Sequence, residues 1–164
     1  DLKSQGTTTL PTGSVLQVKN FALTDTFVMT TAATWTDTTL VLSITPSSTA
    51  SKILITYSVS YAGNSGQRGG VRIIRGSTPL CIADASSNRI QTTSSFQGTS
   101  QRSSDANLSS TYLDSPSTAS AVTYKVQAFC ENNSPVYFNR GTNDEDNISL
   151  MRATSQITLT EIQG

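Results

Sequence analysis

Apolar and polar residues alternate with a period of two along most of this chain. The alternation is longest in the runs 52–61 and 122–130, where every second residue is apolar. Because successive side chains of a β-strand point to opposite faces, this spacing predicts two strands that are each buried on one face. A slip of one residue would turn every apolar side chain to water, so the register is well specified. The predicted core contains Ile53, Ile55, Tyr57, Val59, Val122, Tyr124 and Val126.

Shorter apolar runs predict further strands, and no segment has the 3.6-residue period of an amphipathic helix. Clusters of Gly, Pro, Asn, Asp and Ser separate the runs and predict turns. Roughly eight to ten short strands at this spacing predict an all-β fold, an antiparallel β-sandwich or jelly-roll. We expect residues 1–13 to form an extended N-terminal arm and residues 14–164 to form a single β-sandwich domain. The shorter runs lie at 15–16, 27–29, 40–44, 71–73, 136–138, 148–151 and 157–162.

The chain is rich in hydroxyl side chains and poor in charge, since 51 of its 164 residues are Ser or Thr and 13% are charged. With 35% hydrophobic residues, it predicts a thin core under a wide hydroxyl-rich surface. Lys and Arg balance Asp and Glu, so we expect no binding to nucleic acid. No apolar stretch approaches the ~20 residues of a membrane helix, so we expect no membrane insertion. The chain begins with Asp1 rather than Met, and we interpret it as a piece of a longer protein.

The sequence offers little chemistry for catalysis. Histidine is absent, which excludes Ser-His-Asp catalysis and every His-ligated metal site. The acidic segment 143–147 lacks the ligand spacing of an EF-hand loop, so we interpret it as a solvated turn. Cys81 and Cys130 are interpreted as small buried apolar residues, with a disulfide between them as the alternative. We therefore expect a protein that is not an enzyme, with no catalytic residue, no metal and no cofactor.

Two polar segments, 63–70 and 86–110, interrupt the strand pattern and are predicted to be long surface loops. Loops on a rigid sandwich carry binding residues without disturbing the core. We interpret Phe96 as an exposed stacking surface for a sugar, and we assign Trp35 to the core because a tryptophan buries a large apolar area. The alternative is that both loops are merely solvated. The candidate ligand-binding residues are Arg68, Arg89, Phe96, Gln97, Gln101 and Arg102.

Six segments that follow one another along the chain carry a resemblance. They are 13–18, 43–55, 73–80, 113–116, 123–127 and 155–162. Taken in order, they resemble virion structural proteins of tailed bacteriophages, notably the tail-fibre-like proteins of marine and cyanobacterial phages. The resemblance covers most of residues 13–162. It implies a β-sandwich fibre domain, commonly homotrimeric, that attaches to a host surface polysaccharide or protein, and it assigns no role to any single residue.

These observations lead to one favoured function and two alternatives. The favoured function is a phage fibre or tail adhesin in the virion, a homotrimer that contacts other virion proteins and a host surface glycan or protein. We expect Leu54 and Phe129 to lie at subunit contacts, because a chain with few apolar residues gains from burying them between copies. The first alternative is a capsid-decorating or head-fibre protein without receptor binding. The second is a fibre-borne polysaccharide depolymerase that uses two carboxylates.

Overall fold

The computed structural model describes residues 10–98 and 106–164, which contain eleven β-strands and no helix. Every strand pair is antiparallel, which confirms the expected all-β sandwich. The strands are β1 (Val15–Leu23), β2 (Phe27–Met29), β3 (Thr36–Ile44), β4 (Lys52–Gly63), β5 (Arg68–Arg75), β6 (Thr78–Leu80), β7 (Ser94–Gln97), β8 (Ala106–Asp114), β9 (Val122–Cys130), β10 (Val136–Phe138) and β11 (Ser155–Ile162).

The strands form two sheets. In the six-stranded sheet, β1, β11, β4 and β8 lie side by side, and the short β10 and β2 extend from the second half of β4. In the five-stranded sheet, β3, β9 and β5 lie side by side, and β6 and β7 share the far edge of β5. Taken in chain order, the long strands alternate between the two sheets, and the first and last strands pair with each other. This is the strand order of a jelly-roll.

The core lies between the sheets, on the inward faces of the strands. All seven residues that the alternation assigns to the core are buried, together with Tyr61, Ala128 and Cys130 from the same two runs. The hydroxyl of Tyr57 forms a 3.0 Å hydrogen bond with that of Ser94 and so joins β4 of one sheet to β7 of the other. Burying each isoleucine or valine of this set contributes roughly 1.5–3 kcal/mol.

One end of the sandwich, which we call the base, contains the starts of β1, β4 and β9 and the ends of β3, β5, β8 and β11. Asp114 is buried there and accepts hydrogen bonds from Arg75, at 2.8 Å to each oxygen, and from the hydroxyl of Tyr124 at 2.6 Å. Burial and the neighbouring carboxylate raise the pKa of Tyr124, so its hydroxyl remains a donor. These contacts tie β8 of one sheet to β5 and β9 of the other.

Glu161 is the second buried acid near the base. Its carboxylate accepts hydrogen bonds from the Gln17 side chain and from both the backbone N–H and the hydroxyl of Ser47, each at 2.6 Å. Burial alone would raise the pKa of Glu161, but these hydrogen bonds outweigh it and hold the pKa at about 2. Gln17 also donates to the carbonyl of Thr45 at 2.8 Å. The carboxylate therefore joins β11 and β1 to the chain that follows β3.

Both segments predicted to be long loops contain strands, which corrects the expectation. The segment 86–110 holds β7 and the first half of β8, and Leu108 and Tyr112 of β8 pack partly against the core. In the segment 63–70, β4 ends at Gly63 and β5 begins at Arg68. A tight turn closed by a 3.0 Å hydrogen bond from the N–H of Gln67 to the carbonyl of Asn64 joins them. Serine, threonine and glycine are compatible with both strands and turns, and sheet pairing decides between them.

The strand expected at 148–151 is wrong, because this segment forms an exposed turn. Ile148 is 97% exposed and Met151 is 75% exposed, so their apolar side chains have no place in the core. Of the expected arm, residues 1–9 lie outside the described residues, and residues 10–13 are exposed and outside the strands. The N–H of Gly13 donates to the carbonyl of Gln163 at 2.8 Å, so the chain enters and leaves the domain at the base.

Candidate functional site

The outward face of the five-stranded sheet carries a row of hydrogen-bonded polar side chains. Gln127 on β9 stands opposite Arg72 on β5 and opposite Asp37 on β3. Arg72 donates from Nε and Nη2 to the amide oxygen of Gln127 at 2.9 and 2.7 Å, and the amide nitrogen of Gln127 donates to Asp37 at 2.6 Å. Lys125 also donates to Asp37, at 2.5 Å. The row therefore links β3, β9 and β5, the three long strands of this sheet.

Asp37 and Arg72 are the two groups of this row whose pKa values are shifted by their surroundings. Hydrogen bonds from Lys125 and then from Gln127 lower the pKa of Asp37, so it is ionised at neutral pH. Burial lowers the pKa of Arg72 and the Asp37 carboxylate opposes that effect, but a guanidinium keeps its charge in proteins. The row thus presents a cation, an amide and a carboxylate at fixed positions.

Trp35 lies on the same outward face and is half-buried, which corrects its assignment to the core. The next residue, Thr36, pairs with the inward-facing Ala128, so alternation turns Trp35 outward. The guanidinium carbon of Arg72 lies 4.1 Å from the centroid of the Trp35 ring, a cation–π contact. The centroid of the Phe129 ring lies 5.4 Å from that of the Trp35 ring. We call Trp35, Asp37, Arg72, Lys125 and Gln127 the Trp35 cluster.

Phe129 is only 9% exposed, because Trp35 of the same chain packs on it. The expectation that Phe129 lies at a subunit contact stays a prediction, and Trp35 leaves little of its surface for such a contact. The other residue of that expectation, Leu54, lies partly exposed on the outward face of the six-stranded sheet.

A groove of about 260 Å³ lies beside the Trp35 cluster, and its lining residue Phe129 contacts Trp35. Its polar rim includes Arg68 and Glu131, whose charged groups are 3.8 Å apart and well exposed. Its lining residues are Arg68, Gly69, Ile90, Thr92, Ser95, Phe129 and Glu131. The groove therefore combines two apolar side chains with groups that donate and accept hydrogen bonds.

Three of the predicted ligand-binding residues lie at or next to this groove. Arg68 lines it, and Gln97 stands opposite Arg68 in the register of β5 with β7. The N–H of Arg89 closes a turn onto the carbonyl of Ser86, and Arg89 directly precedes the groove residue Ile90. The other two polar candidates, Gln101 and Arg102, lie outside the described residues.

Phe96 is buried, so its expected role as an exposed stacking surface is wrong. Its ring centroid lies 4.2 Å from that of Tyr61, on the inward side of the sheet. Gly69 pairs with Phe96, and a Cβ atom on Gly69 would come within 2.5 Å of the Phe96 ring. The segment is a strand rather than a loop, and its alternation turns Phe96 into the core while Ser95 faces the groove.

Sequence analysis did not identify four residues that the structure brings together beside the groove: Trp35, Arg72, Phe129 and Glu131. Their proximity depends on the strand order β3-β9-β5, which a single sequence does not reveal. One signal was available in β9. Its outward positions 125, 127 and 129 carry Lys, Gln and Phe instead of the Ser and Thr that dominate this chain.

Among the residues that the structure describes, the other acidic side chains form no second site of this kind. Asp144 in the acidic segment is bonded to Arg152 at 2.7 Å and lies 3.8 Å from Arg140, and the segment is an exposed turn as predicted. Among the described residues, no group of His, Cys, Asp and Glu is placed to hold a metal ion. Within the described lining of the groove, Glu131 is the one carboxylate.

The two cysteines differ in their surroundings. Cys130 is buried in the core as predicted, and burial raises its pKa. Cys81 is exposed, which corrects its assignment as a buried residue, and both thiols are free.

No protein-family model matches the chain, and no curated protein is similar to it. Within the described residues, no helix is long and apolar enough to cross a membrane. The groove and the Trp35 cluster, both on the outward face of the five-stranded sheet, are the features that indicate a function.

Proposed function

We propose that this domain is a fibre or tail adhesin of a phage virion and that it binds a host surface glycan in the groove of its five-stranded sheet. The observation that carries the proposal is the composition of the groove, in which Phe129 and Ile90 are flanked by Arg68, Ser95 and Glu131. Loops and sheet faces on a rigid sandwich are common places for binding residues.

The groove matches the chemistry of a sugar ring. A sugar has a weakly apolar C–H face and hydroxyl groups that both donate and accept hydrogen bonds. Ile90, which is 50% exposed, suits the apolar face, and Phe129, which is 9% exposed, lines the groove beside it. Arg68 can only donate, Glu131 as a carboxylate can only accept, and the hydroxyl of Ser95 can do both. A site with apolar walls and a few polar groups is typical of small-ligand binding.

The fold and the resemblance support the placement in a virion with other virion proteins. Jelly-rolls occur in viral capsid proteins and in lectin domains. A fold alone does not determine function, so the groove carries more weight than the topology. Binding is favoured over depolymerisation, because the usual glycosidase mechanism needs two carboxylates and the described lining supplies Glu131 alone.

We also propose that copies of the chain associate as a homotrimer through the outward face of the six-stranded sheet. Lys52 is the one charged residue at the outward positions of β1, β11, β4 and β8. The other charged residues of these strands, Lys19, Glu161 and Asp114, turn to the opposite side. Val18, Leu54 and Leu113 share one row of this face. Depletion of charge is typical of interface centres.

The binding proposal is tested with a glycan array probed with the purified domain, Arg68→Ala and a matched control. Arg152→Ala is the control, because Arg152 is another exposed arginine paired with one carboxylate, away from the groove. We expect Arg68→Ala to weaken binding by about 2 kcal/mol, roughly 30-fold in Kd, and Arg152→Ala to leave it unchanged. A domain that binds no glycan, or equal losses in both variants, would contradict the proposal.

The assembly proposal is tested by light scattering at micromolar concentration. We expect a mass three times that of the 17.4 kDa chain. Leu113→Glu should reduce the mass to that of a monomer, because it places a charge on the proposed interface. Val41→Glu is the control, since Val41 is 42% exposed on the other sheet and Leu113 is 44% exposed. A monomeric parent protein, or a trimeric Leu113→Glu variant, would count against this interface.

A further inference from the structure

We infer that the ligand is an oligosaccharide chain that extends beyond the groove, and that the Trp35 cluster is a second subsite for it. The inference rests on the proposed function and adds the size of the ligand and the residues that contact its second part. It follows from the position of the cluster, from its rigidity and from its unused hydrogen-bonding groups.

The cluster begins where the groove ends. Phe129, which lines the groove, lies opposite Gly70, and Gln127 of the cluster lies opposite Arg72, so the two sites occupy successive outward positions of β9. Trp35 packs directly on Phe129. From Arg68 to Arg72 the chain advances four residues, or about 14 Å along β5. A single sugar ring placed at Arg68 does not reach Arg72, whereas a chain of several sugars does.

The side chains of the cluster are held in place by contacts with one another. Arg72 is held by two hydrogen bonds to Gln127 and by stacking on Trp35, and Gln127 is held in turn by Asp37. The ion pair of the cluster, between Lys125 and Asp37, is partly exposed, and exposed ion pairs contribute only about 0–1 kcal/mol to folding, so this pair adds little to the stability of the fold. The fixed positions of these side chains favour binding, because they lose little further conformational entropy when a ligand binds.

The cluster keeps groups available for a ligand. Arg72 uses Nε and Nη2 on Gln127, which leaves the two N–H groups of Nη1 free of protein hydrogen bonds among the described residues. Lys125 has three donors and gives one to Asp37. Trp35 is half-buried, with the Arg72 guanidinium over its ring and Phe129 beside it, so a second sugar would contact the part of the ring that these two side chains leave exposed. A ring and fixed donors beside it repeat the chemistry of the groove.

The chain supplies its own reporter for a test, because Trp35 is the single tryptophan of the sequence. The probes are fragments of one, two, four and six sugar units prepared from the glycan that binds best on the array. We expect the four- and six-unit fragments to change the fluorescence of the unmodified domain, and the one-unit fragment to bind without changing it. Affinity measured by calorimetry should rise at least tenfold between one and six units.

Two variants test whether the gain in affinity with fragment length comes from the Trp35 cluster. Arg72→Ala should remove most of the tenfold gain for the six-unit fragment and leave the one-unit affinity unchanged. Trp35→Ala should remove the gain as well, and because it also uncovers the groove residue Phe129, this variant is compared only by the gain from one to six units. Arg68→Ala should weaken both fragments, because it acts in the groove. Equal affinity for all lengths, or an unchanged gain in correctly folded Trp35→Ala and Arg72→Ala, would overturn this inference and leave the groove proposal in place. Absence of binding to every glycan would overturn both.

Discussion

Replacing Glu161 by glutamine removes a buried carboxylate that fastens β11 and β1 to Ser47 near the base. Its pKa of about 2 lies well below the ordinary 4.5. At about 1.4 kcal/mol per pH unit, that difference corresponds to about 3 kcal/mol of stability at pH 7. We expect Glu161→Gln to lower the free energy of unfolding by this amount at pH 7.

The pH dependence of this loss of stability distinguishes the effect of the carboxylate charge from that of side-chain packing. A carboxyl group whose pKa is lowered in the folded state stabilises the fold above pH 4.5, and that stability is lost as the pH falls toward 2. At pH 3 about 2 kcal/mol of the contribution should be gone, so the difference between Glu161→Gln and the parent protein should shrink to about 1 kcal/mol.

Urea denaturation at pH 7 and pH 3, followed by circular dichroism, measures both differences. Glu145→Gln is the matched control, because Glu145 is an exposed residue of the acidic turn, and we expect changes within about 0.5 kcal/mol at both pH values. A Glu161→Gln variant as stable as the parent protein at pH 7 would refute the reasoning. So would a loss of the same size at both pH values.

Three further predictions concern the fold. Asp114→Ala should lower the free energy of unfolding by about 3 kcal/mol in urea denaturation, because it leaves the guanidinium of Arg75 without its buried carboxylate; a loss below 1 kcal/mol would contradict this. A thiol reagent should label Cys81 in the native protein and reach Cys130 only after unfolding, giving one and then two equivalents by absorbance; two native equivalents would be inconsistent with the buried site. Gly69→Ala should destabilise the domain by about 1–3 kcal/mol in thermal unfolding, because its Cβ would meet an aromatic ring at 2.5 Å and a carbonyl oxygen at 2.3 Å; an unchanged melting temperature would argue against this packing.

The strands that could be predicted are those whose two faces differ strongly in polarity. In β4 and β9 five apolar residues alternate with polar ones, so local sequence alone specifies which face is buried. In β8 only Leu108 and Tyr112 mark the inward face among serine and threonine, and pairing with β4 determines the structure. The prediction failed in the other direction at Ile148, where an apolar residue predicted a strand but lies in an exposed turn.

The candidate site was less predictable than the core because it is assembled from distant parts of the chain. Arg72 and Gln127 are 55 residues apart in sequence, and Gln127 and Asp37 are 90 apart. Nothing local to any of these residues indicates its neighbours. Arg68 was identified because its polar segment was interpreted as a surface loop. The same interpretation of the segment around Phe96 was wrong, because that segment is a strand whose alternation buries the ring.

The position of the base gives the domain a polarity that matters for how it can be tethered. Gly13 and Gln163 meet there, whereas Arg68 and Glu131 lie at the opposite ends of β5 and β9. From Arg75 to Arg68 the strand rises about 24 Å. A linker at either terminus would therefore attach the domain by its base and keep the groove, on the side of the sandwich, near the end far from the support, whether that support is a bead, a sensor chip or a shaft. Display of many copies in parallel would then convert a weak single contact into strong multivalent attachment.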